Sequence, residues 1–279
     1  MPGQSQEWPG HPDLLDPPAD HGESSWVGRS RLVGRRALVT GGDSGIGRAV
    51  AVAFAKEGAD VCLTHLSEEQ DDAAETADAV RAEGRHVALR CADLRTPEVC
   101  REVAEGARAD LGGVDILVCN AGYQMAHDLL EDFPPEQVER TFATNVFSTF
   151  WLVRELGKEL EANGGNVIVT TSIQAYQPSD HLLDYAASKA ALTNLVANLA
   201  QELGPRGIRV NAVAPGPIWT PLIPATMSTE KVEGFGTNTP LGRVGQPVEV
   251  AAAYVFLASD EASYVSGSVL GVTGGRPVF

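Results

Sequence analysis

Arg36-Ala37-Leu38-Val39-Thr40-Gly41-Gly42-Asp43-Ser44-Gly45-Ile46-Gly47, running on into Arg48-Ala49-Val50-Ala51-Val52-Ala53-Phe54-Ala55-Lys56, is the stretch that decides the fold. Its first residues form a short apolar run of strand length. A glycine-rich turn follows, then an apolar helical pattern that meets a stop signal at Glu57-Gly58. In a strand–turn–helix unit, glycines let the backbone approach a pyrophosphate, whose charge then lies at the positive end of the helix. The spacing is T-G-x-x-x-G-x-G, which differs from the G-x-G-x-x-G dinucleotide fingerprint. By itself the turn points to a nucleotide and no further.

The pattern outward from this unit is regular. Strand-like runs fall near 36–40, 60–64, 86–91, 114–119, 166–171, 207–213 and 268–272. Helical segments lie near 45–57, 68–83, 96–111, 135–162 (read as two helices), 183–203 and 247–258. Short apolar strands alternating with amphipathic helices imply a parallel sheet covered on both faces. The expected architecture is therefore a single doubly wound α/β domain of Rossmann type, seven-stranded, over 31–279, with ligands at the carboxyl ends of its strands. The stretch from Ile218 to about Gly245 breaks the alternation and reads as a loop or small helical flap over the site.

A second motif carries acid–base chemistry. Tyr185 and Lys189 are four residues apart, hence on one face of the 183–203 helix, and Ser172 stands at the end of the 166–171 strand. A free phenol, with pKa about 10, is a poor proton donor or acceptor near neutrality. A fixed cation beside it is expected to favour the phenolate and bring that value down.

Composition bounds the rest. At 279 residues and with no linker after residue 30, the chain can bury one sizeable core. A net charge of −16 argues against a nucleic-acid partner. No apolar run reaches the length of a membrane span, and no basic-then-apolar leader opens the chain, so a cytoplasmic setting is expected. Cys62, Cys91, Cys100 and Cys119 lack metal-ligand spacing and are expected to be buried structural thiols; the histidines are dispersed, so no metal is expected. Residues 1–30 are rich in proline, glycine and acid, the composition of a disordered tail. Trp8 and Trp26 are costly to leave in water, however, so this extension is expected to dock on the body or on a neighbouring subunit.

With both motifs in view, the chain resembles the short-chain dehydrogenase/reductase family from about Leu32 to the C-terminus. The matching motifs occur in order: Thr40 to Gly47, Asp93, Asn120-Ala121-Gly122, Asn145, Ser172, Tyr185 with Lys189, and Pro215-Gly216. Within the family it is similar to bacterial aldehyde or ketone reductases with an N-terminal extension, through Gly41 to Arg48 and Ser172 to Ser179. The resemblance implies hydride transfer between NAD(P)(H) and a carbonyl or alcohol. Tyr185 would be the general acid/base. Lys189 would tune it and bind the nicotinamide ribose, and Ser172 would hold the substrate oxygen. Asn145 would bend its helix and bind a water that relays protons to Lys189.

The cofactor would lie along Gly41, Asp43, Ser44, Gly45, Ile46 and Gly47, with Asp93 and Leu94 at the adenine and Asn120, Ala121 and Gly122 near its ribose. Pro215, Gly216, Ile218 and Thr220 would border the nicotinamide. The choice between NAD and NADP falls on His65, Leu66 and Ser67: an acidic residue in place of His65 would mark NAD, and its absence tilts the reading towards NADP(H), with His65, Ser67 and Arg48 as phosphate ligands. Gln124, Gln174, Tyr176 and Trp219 are expected to face a small carbonyl or polyol. The family also implies a homotetramer, built on the 145–162 and 183–203 helices and the last strand. Competing readings are an inactive dinucleotide-binding regulator, which would lack part of the Asn145, Ser172, Tyr185, Lys189 set, and a biosynthetic ketoreductase acting on a larger substrate.

Overall fold

The computed structural model describes residues 1–279. Seven strands make one parallel sheet: β1 (Arg36–Val39), β2 (Asp60–His65), β3 (Val87–Cys91), β4 (Ile116–Cys119), β5 (Asn166–Thr170), β6 (Arg209–Pro215) and β7 (Val269–Val272). The spatial order is β3-β2-β1-β4-β5-β6-β7, so the direction of winding reverses between β1 and β4. That reversal opens a crevice at the carboxyl ends of these two strands.

Alternation along each strand builds two cores. Ala37 and Val39 of β1 join Val61 and Leu63 of β2 on one face, under α1 (Gly45–Lys56) and α9 (Pro247–Ala258). Leu38 and Cys62 point to the other face, under α3 (Pro97–Leu111), α5 (Ser148–Asn163) and α6 (Leu183–Leu203). A period of two forces successive side chains to opposite faces, so each strand feeds both layers. Of the remaining helices, α2 (Gln70–Ala82) packs beside α1 and β3, and α4 (Pro135–Phe142) leads into α5 through a π-helical turn at Ala143–Phe147. None of the helices is long and apolar enough to cross a membrane.

The segment after β6 carries two short helices, α7 (Leu222–Thr226) and α8 (Thr229–Val232), and closes at its base with a bridge between Ile218 and Gly245. The cysteines split. Cys62, Cys100 and Cys119 are buried, and burial pushes each thiol up to about 12. Cys91 departs from the expectation of burial: it is exposed, because β3 is the edge strand and Cys91 ends it.

Residues 1–30 lie along the body of the same chain. Leu15 packs with Trp219, Ile223, Val232 and Val244 into a small third core beneath the flap. The Trp26 indole and the Arg29 and Arg31 amides all donate to the Glu57 carboxylate at 2.9–3.1 Å, and the Arg31 guanidinium adds a 2.7 Å ion pair. Despite burial, these donors hold Glu57 down to about 2.

Candidate active site

The crevice opens into a cavity of about 550 Å³. The glycine turn lines one side, and its local geometry follows from its residues. Gly41 and Gly45 have φ of +59° and +50°, a region that L side chains rarely adopt. Gly47 has no room for a side chain, because a Cβ there would sit 1.7 Å from the Gly41 carbonyl oxygen. Ser44 precedes α1 with an extended backbone and no capping side-chain bond, and the first N–H of the helix to find a partner is that of Arg48. The amides of Gly45, Ile46 and Gly47 are therefore free donors at a positive helix end, which suits an anionic group such as a pyrophosphate.

A hydrogen-bond chain ties this turn to the Tyr–Lys helix. Thr40 Oγ1 accepts from the Asn120 and Ala121 amides, at 2.9 and 3.0 Å. Asn120 Nδ2 donates to the Thr40 and Gly41 carbonyls, while Asn120 Oδ1 accepts from Thr170 Oγ1 at 3.1 Å. The Thr170 carbonyl accepts in turn from Lys189 Nζ at 2.8 Å. Lys189 lies 5.4 Å from the centroid of the Tyr185 ring, and Ser172 lines the cavity with both. Ser172 also accepts from the Gln174 amide at 3.1 Å, capping a 3-10 turn at Ile173–Ala175. The hydroxyl is thereby aimed by its own backbone.

The electrostatics differ from the expected lowering of the tyrosine pKa. Burial pushes Tyr185 up to about 12, with only partial opposition from the Ser172 hydroxyl, and burial brings Lys189 down to about 8. A dry pocket penalises both charged forms. At neutral pH the phenol is protonated and able to give a proton to an oxygen placed between it and Ser172.

Asn145 sits in the π-helical turn, buried, with its side chain fully engaged: Oδ1 accepts from the Tyr123 amide at 2.7 Å, and Nδ2 donates to the Tyr123 carbonyl and to Ser188 Oγ. The helix is locally widened there, and the side chain clamps Tyr123 instead of facing the cavity. Asp184 is a residue the sequence reading passed over. Its carboxylate accepts from Thr141 Oγ1 at 2.6 Å, Gln137 Nε2 at 3.1 Å and the Tyr185 amide at 2.7 Å, fixing the start of α6 against α4. An acidic residue in a first helical turn was the available signal.

Among the expected cofactor residues, Gly41, Asp43, Ser44, Gly45, Ile46, His65, Leu66, Asp93, Leu94, Asn120, Ala121, Gly122, Pro215, Gly216, Ile218 and Thr220 line the cavity. Gly47 lies beneath the turn. Ser67 is a correction: it does not line the cavity, and its hydroxyl donates to Glu68. Asp93 is clasped by Arg95 at 2.6 Å, which with lesser help from Arg140 holds its carboxyl below the usual range.

On the substrate side, Gln124 and Gln174 line the cavity. Tyr176 lies outside it, just past the turn that aims Ser172. Trp219 is a second correction. It is wholly buried, and its indole donates to the Pro17 carbonyl at 2.7 Å, so it serves the packing of the N-terminal segment. Leu222, Ile223, Met227 and Phe235 of the flap take the apolar places instead.

The chain is similar in sequence and fold to known proteins. A family model described as Enoyl-(Acyl carrier protein) reductase matches residues 41–276. The chain is 49% identical to the uncharacterized oxidoreductase YhxD of Bacillus subtilis, over 99% of this chain and 94% of that protein. It is 43% identical to glucose and ribitol dehydrogenase of Daucus carota, over 100% of this chain and 97% of that protein. A short chain dehydrogenase from Burkholderia cenocepacia, solved with NADP, superposes with a TM-score of 0.81 at 34% identity, over 88% of this chain and 98% of that one. A 7α-hydroxysteroid dehydrogenase, solved with NADH and 7-oxo glycochenodeoxycholic acid, gives 0.81 at 36%, over 88% and 95%. This chain belongs to the short-chain dehydrogenase/reductase family and is an NAD(P)-dependent oxidoreductase.

Proposed function

We propose that the protein reduces a small carbonyl compound, or oxidises the matching alcohol or polyol, with Tyr185 as general acid/base. The observation that carries this is that Ser172, Tyr185 and Lys189 line the same cavity as the glycine turn. Bound there, the nicotinamide would supply the hydride. The Ser172 hydroxyl orients the substrate oxygen, and the phenol of Tyr185, protonated at neutral pH, donates to it in the reductive direction. Lys189, held by the Thr170 carbonyl, places its charge beside the phenolate left behind.

The polar fittings of the substrate side favour a hydroxylated molecule. Gln124 donates through Nε2 to Thr226 Oγ1, which leaves Oε1 to accept; Gln174 accepts through Oε1 from the Ser179 amide, which leaves Nε2 to donate. A polyol hydroxyl can meet both needs, and the similarity to a glucose and ribitol dehydrogenase agrees with this. A panel of aldehydes, ketones and sugars, followed by loss of reduced-cofactor absorbance, tests the reading. Turnover of none of them, or survival of turnover in Tyr185→Phe, would overturn it.

Cofactor choice tilts towards NAD(H), against the sequence expectation. The groups expected to bind a 2′-phosphate are committed elsewhere: Arg48 pairs with Glu23 at 2.9 Å and Glu75 at 3.1 Å, and His65 Nδ1 donates to the Leu66 carbonyl. Two carboxyl groups, Asp43 and Glu69, line that end of the cavity instead. Burial, then the nearby Glu69, pushes Asp43 up to about 8, and burial also raises Glu69. A carboxyl group, charged or neutral, accepts from a ribose hydroxyl through an oxygen and, unlike a guanidinium, offers no positive charge to a phosphate dianion. Fluorescence titration with NADH and NADPH decides: tighter NADPH binding would reverse the choice.

A homotetramer accords with the apolar face shared by α5, α6 and the π-helical turn. Phe147 and Phe150 there are 48% and 46% exposed beside Trp151 and Leu195. Light scattering should give about four times the 29.5 kDa protomer mass.

A further inference from the structure

Arg140 is the cation on the cavity wall whose guanidinium has neither a hydrogen-bond nor an ion-pair partner. Lys189 donates to the Thr170 carbonyl, Arg95 pairs with Asp93, Lys231 pairs with Asp128 at 3.0 Å, and Arg276 donates to the Asn238 carbonyl. The Arg140 guanidinium instead rests in the notch between two aromatic rings, 4.2 Å from the centroid of Trp8 and 4.3 Å from that of Tyr123. The rings meet edge to face with centroids 5.8 Å apart.

Trp8 is brought there by the N-terminal segment and anchored on both sides. Before it, the Gln6 amide donates to the Pro224 carbonyl of the flap at 3.0 Å; after it, His11 Nδ1 meets Asp72 at 2.9 Å. Trp8 and Pro9 thus become part of the cavity lining, and Arg140 beneath Trp8 is near enough to Asp93 for its charge to help hold that carboxyl down.

We propose that Trp8 and Arg140 form the outer wall of the adenine half of the dinucleotide site, Arg140 contacting the base and Trp8 holding it in place. This rests on the dinucleotide reading above. A planar guanidinium stacks on aromatic rings and loses little freedom when already pinned. An adenine ring offers a further such surface, whereas a nicotinamide mononucleotide does not reach that end of the cavity.

The test is a fluorescence titration of the full-length protein with the reduced dinucleotide it binds more tightly, and with reduced nicotinamide mononucleotide, which lacks the adenylate half. Trp8→Ala and Arg140→Ala should each raise the Kd for the dinucleotide about fivefold to tenfold and leave that for the mononucleotide unchanged. Trp8→Phe should restore most of the dinucleotide affinity. Arg140→Lys, which keeps charge and loses the planar group, should behave like Arg140→Ala. Equal weakening of both ligands, no weakening of either, or full affinity in Arg140→Lys would overturn the proposal. A parent protein that binds neither ligand would instead overturn the functional reading beneath it.

Discussion

Lys189 donates its ammonium hydrogen to the Thr170 carbonyl oxygen at 2.8 Å, joining α6 to the carboxyl end of β5. Through the Thr170 hydroxyl, Asn120 and Gly41, the same chain of bonds ends at the glycine turn. The groups that would move a proton and those that would hold a pyrophosphate are thus parts of one rigid frame.

If Tyr185 is the proton donor, Tyr185→Phe should cut turnover at least about 100-fold while leaving cofactor affinity nearly intact. Steady-state kinetics and a binding titration on the same preparation check this. Turnover within a few-fold of the parent would remove the phenol from the mechanism.

The pH profile follows from Lys189. Its folded-state value of about 8 lies below its ordinary 10.5, so the ammonium is present below about pH 8 and lost above it. Tyr185, at about 12, stays protonated across that range. Carbonyl reduction should therefore hold steady through neutrality and fall as pH rises through about 8. A kcat/KM profile for reduction that is flat well past that point would separate the ammonium from the chemistry.

Asn145→Ala removes the clamp on both backbone groups of Tyr123 and the bond to Ser188. Those buried groups lose their partners, at a cost of about 1–3 kcal/mol. A clear drop in Tm should accompany a loss of turnover; an unchanged Tm would mean that the π-helical turn holds Tyr123 without the amide.

Asp184→Ala should loosen the start of α6, since Thr141, Gln137 and the Tyr185 amide all lose their acceptor. The expected loss is about 2–3 kcal/mol, because hydrogen bonds to a carboxylate are the stronger kind. Turnover should fall by more than cofactor affinity, because Tyr185 is the first side chain displaced. Denaturant melts and kinetics on Asp184→Asn, which keeps an acceptor oxygen, should show partial recovery.

Gly47→Ala is the severest change to the glycine turn. A Cβ 1.7 Å from the Gly41 oxygen cannot be accommodated by rotating a side chain, so the turn must move, at about 3 kcal/mol or more. Dinucleotide binding should be abolished or nearly so, as read by titration.

Much of this protein was legible in its residue spacing. Helix and strand periodicities are local properties, and burial on both faces leaves a parallel sheet as the outcome for such an alternation. The glycine turn and the Tyr185–Lys189 pair were readable for the same reason: each is a few residues long and carries its geometry within itself. What required the folded chain was set by contacts between distant segments. Trp219 sits beside the expected nicotinamide residues in sequence, yet Pro17 claims its indole and Leu15 covers it, so it belongs to the core. The Lys189 cation was expected to bring the Tyr185 pKa down, but the depth of burial, which spacing does not encode, disfavours the charged form of both groups. Arg140, on a short surface helix, carried no mark, and Trp8, in a proline-rich tail, signalled docking but not where. Their meeting with Tyr123 exists only because the N-terminal segment closes back over the carboxyl end of the sheet.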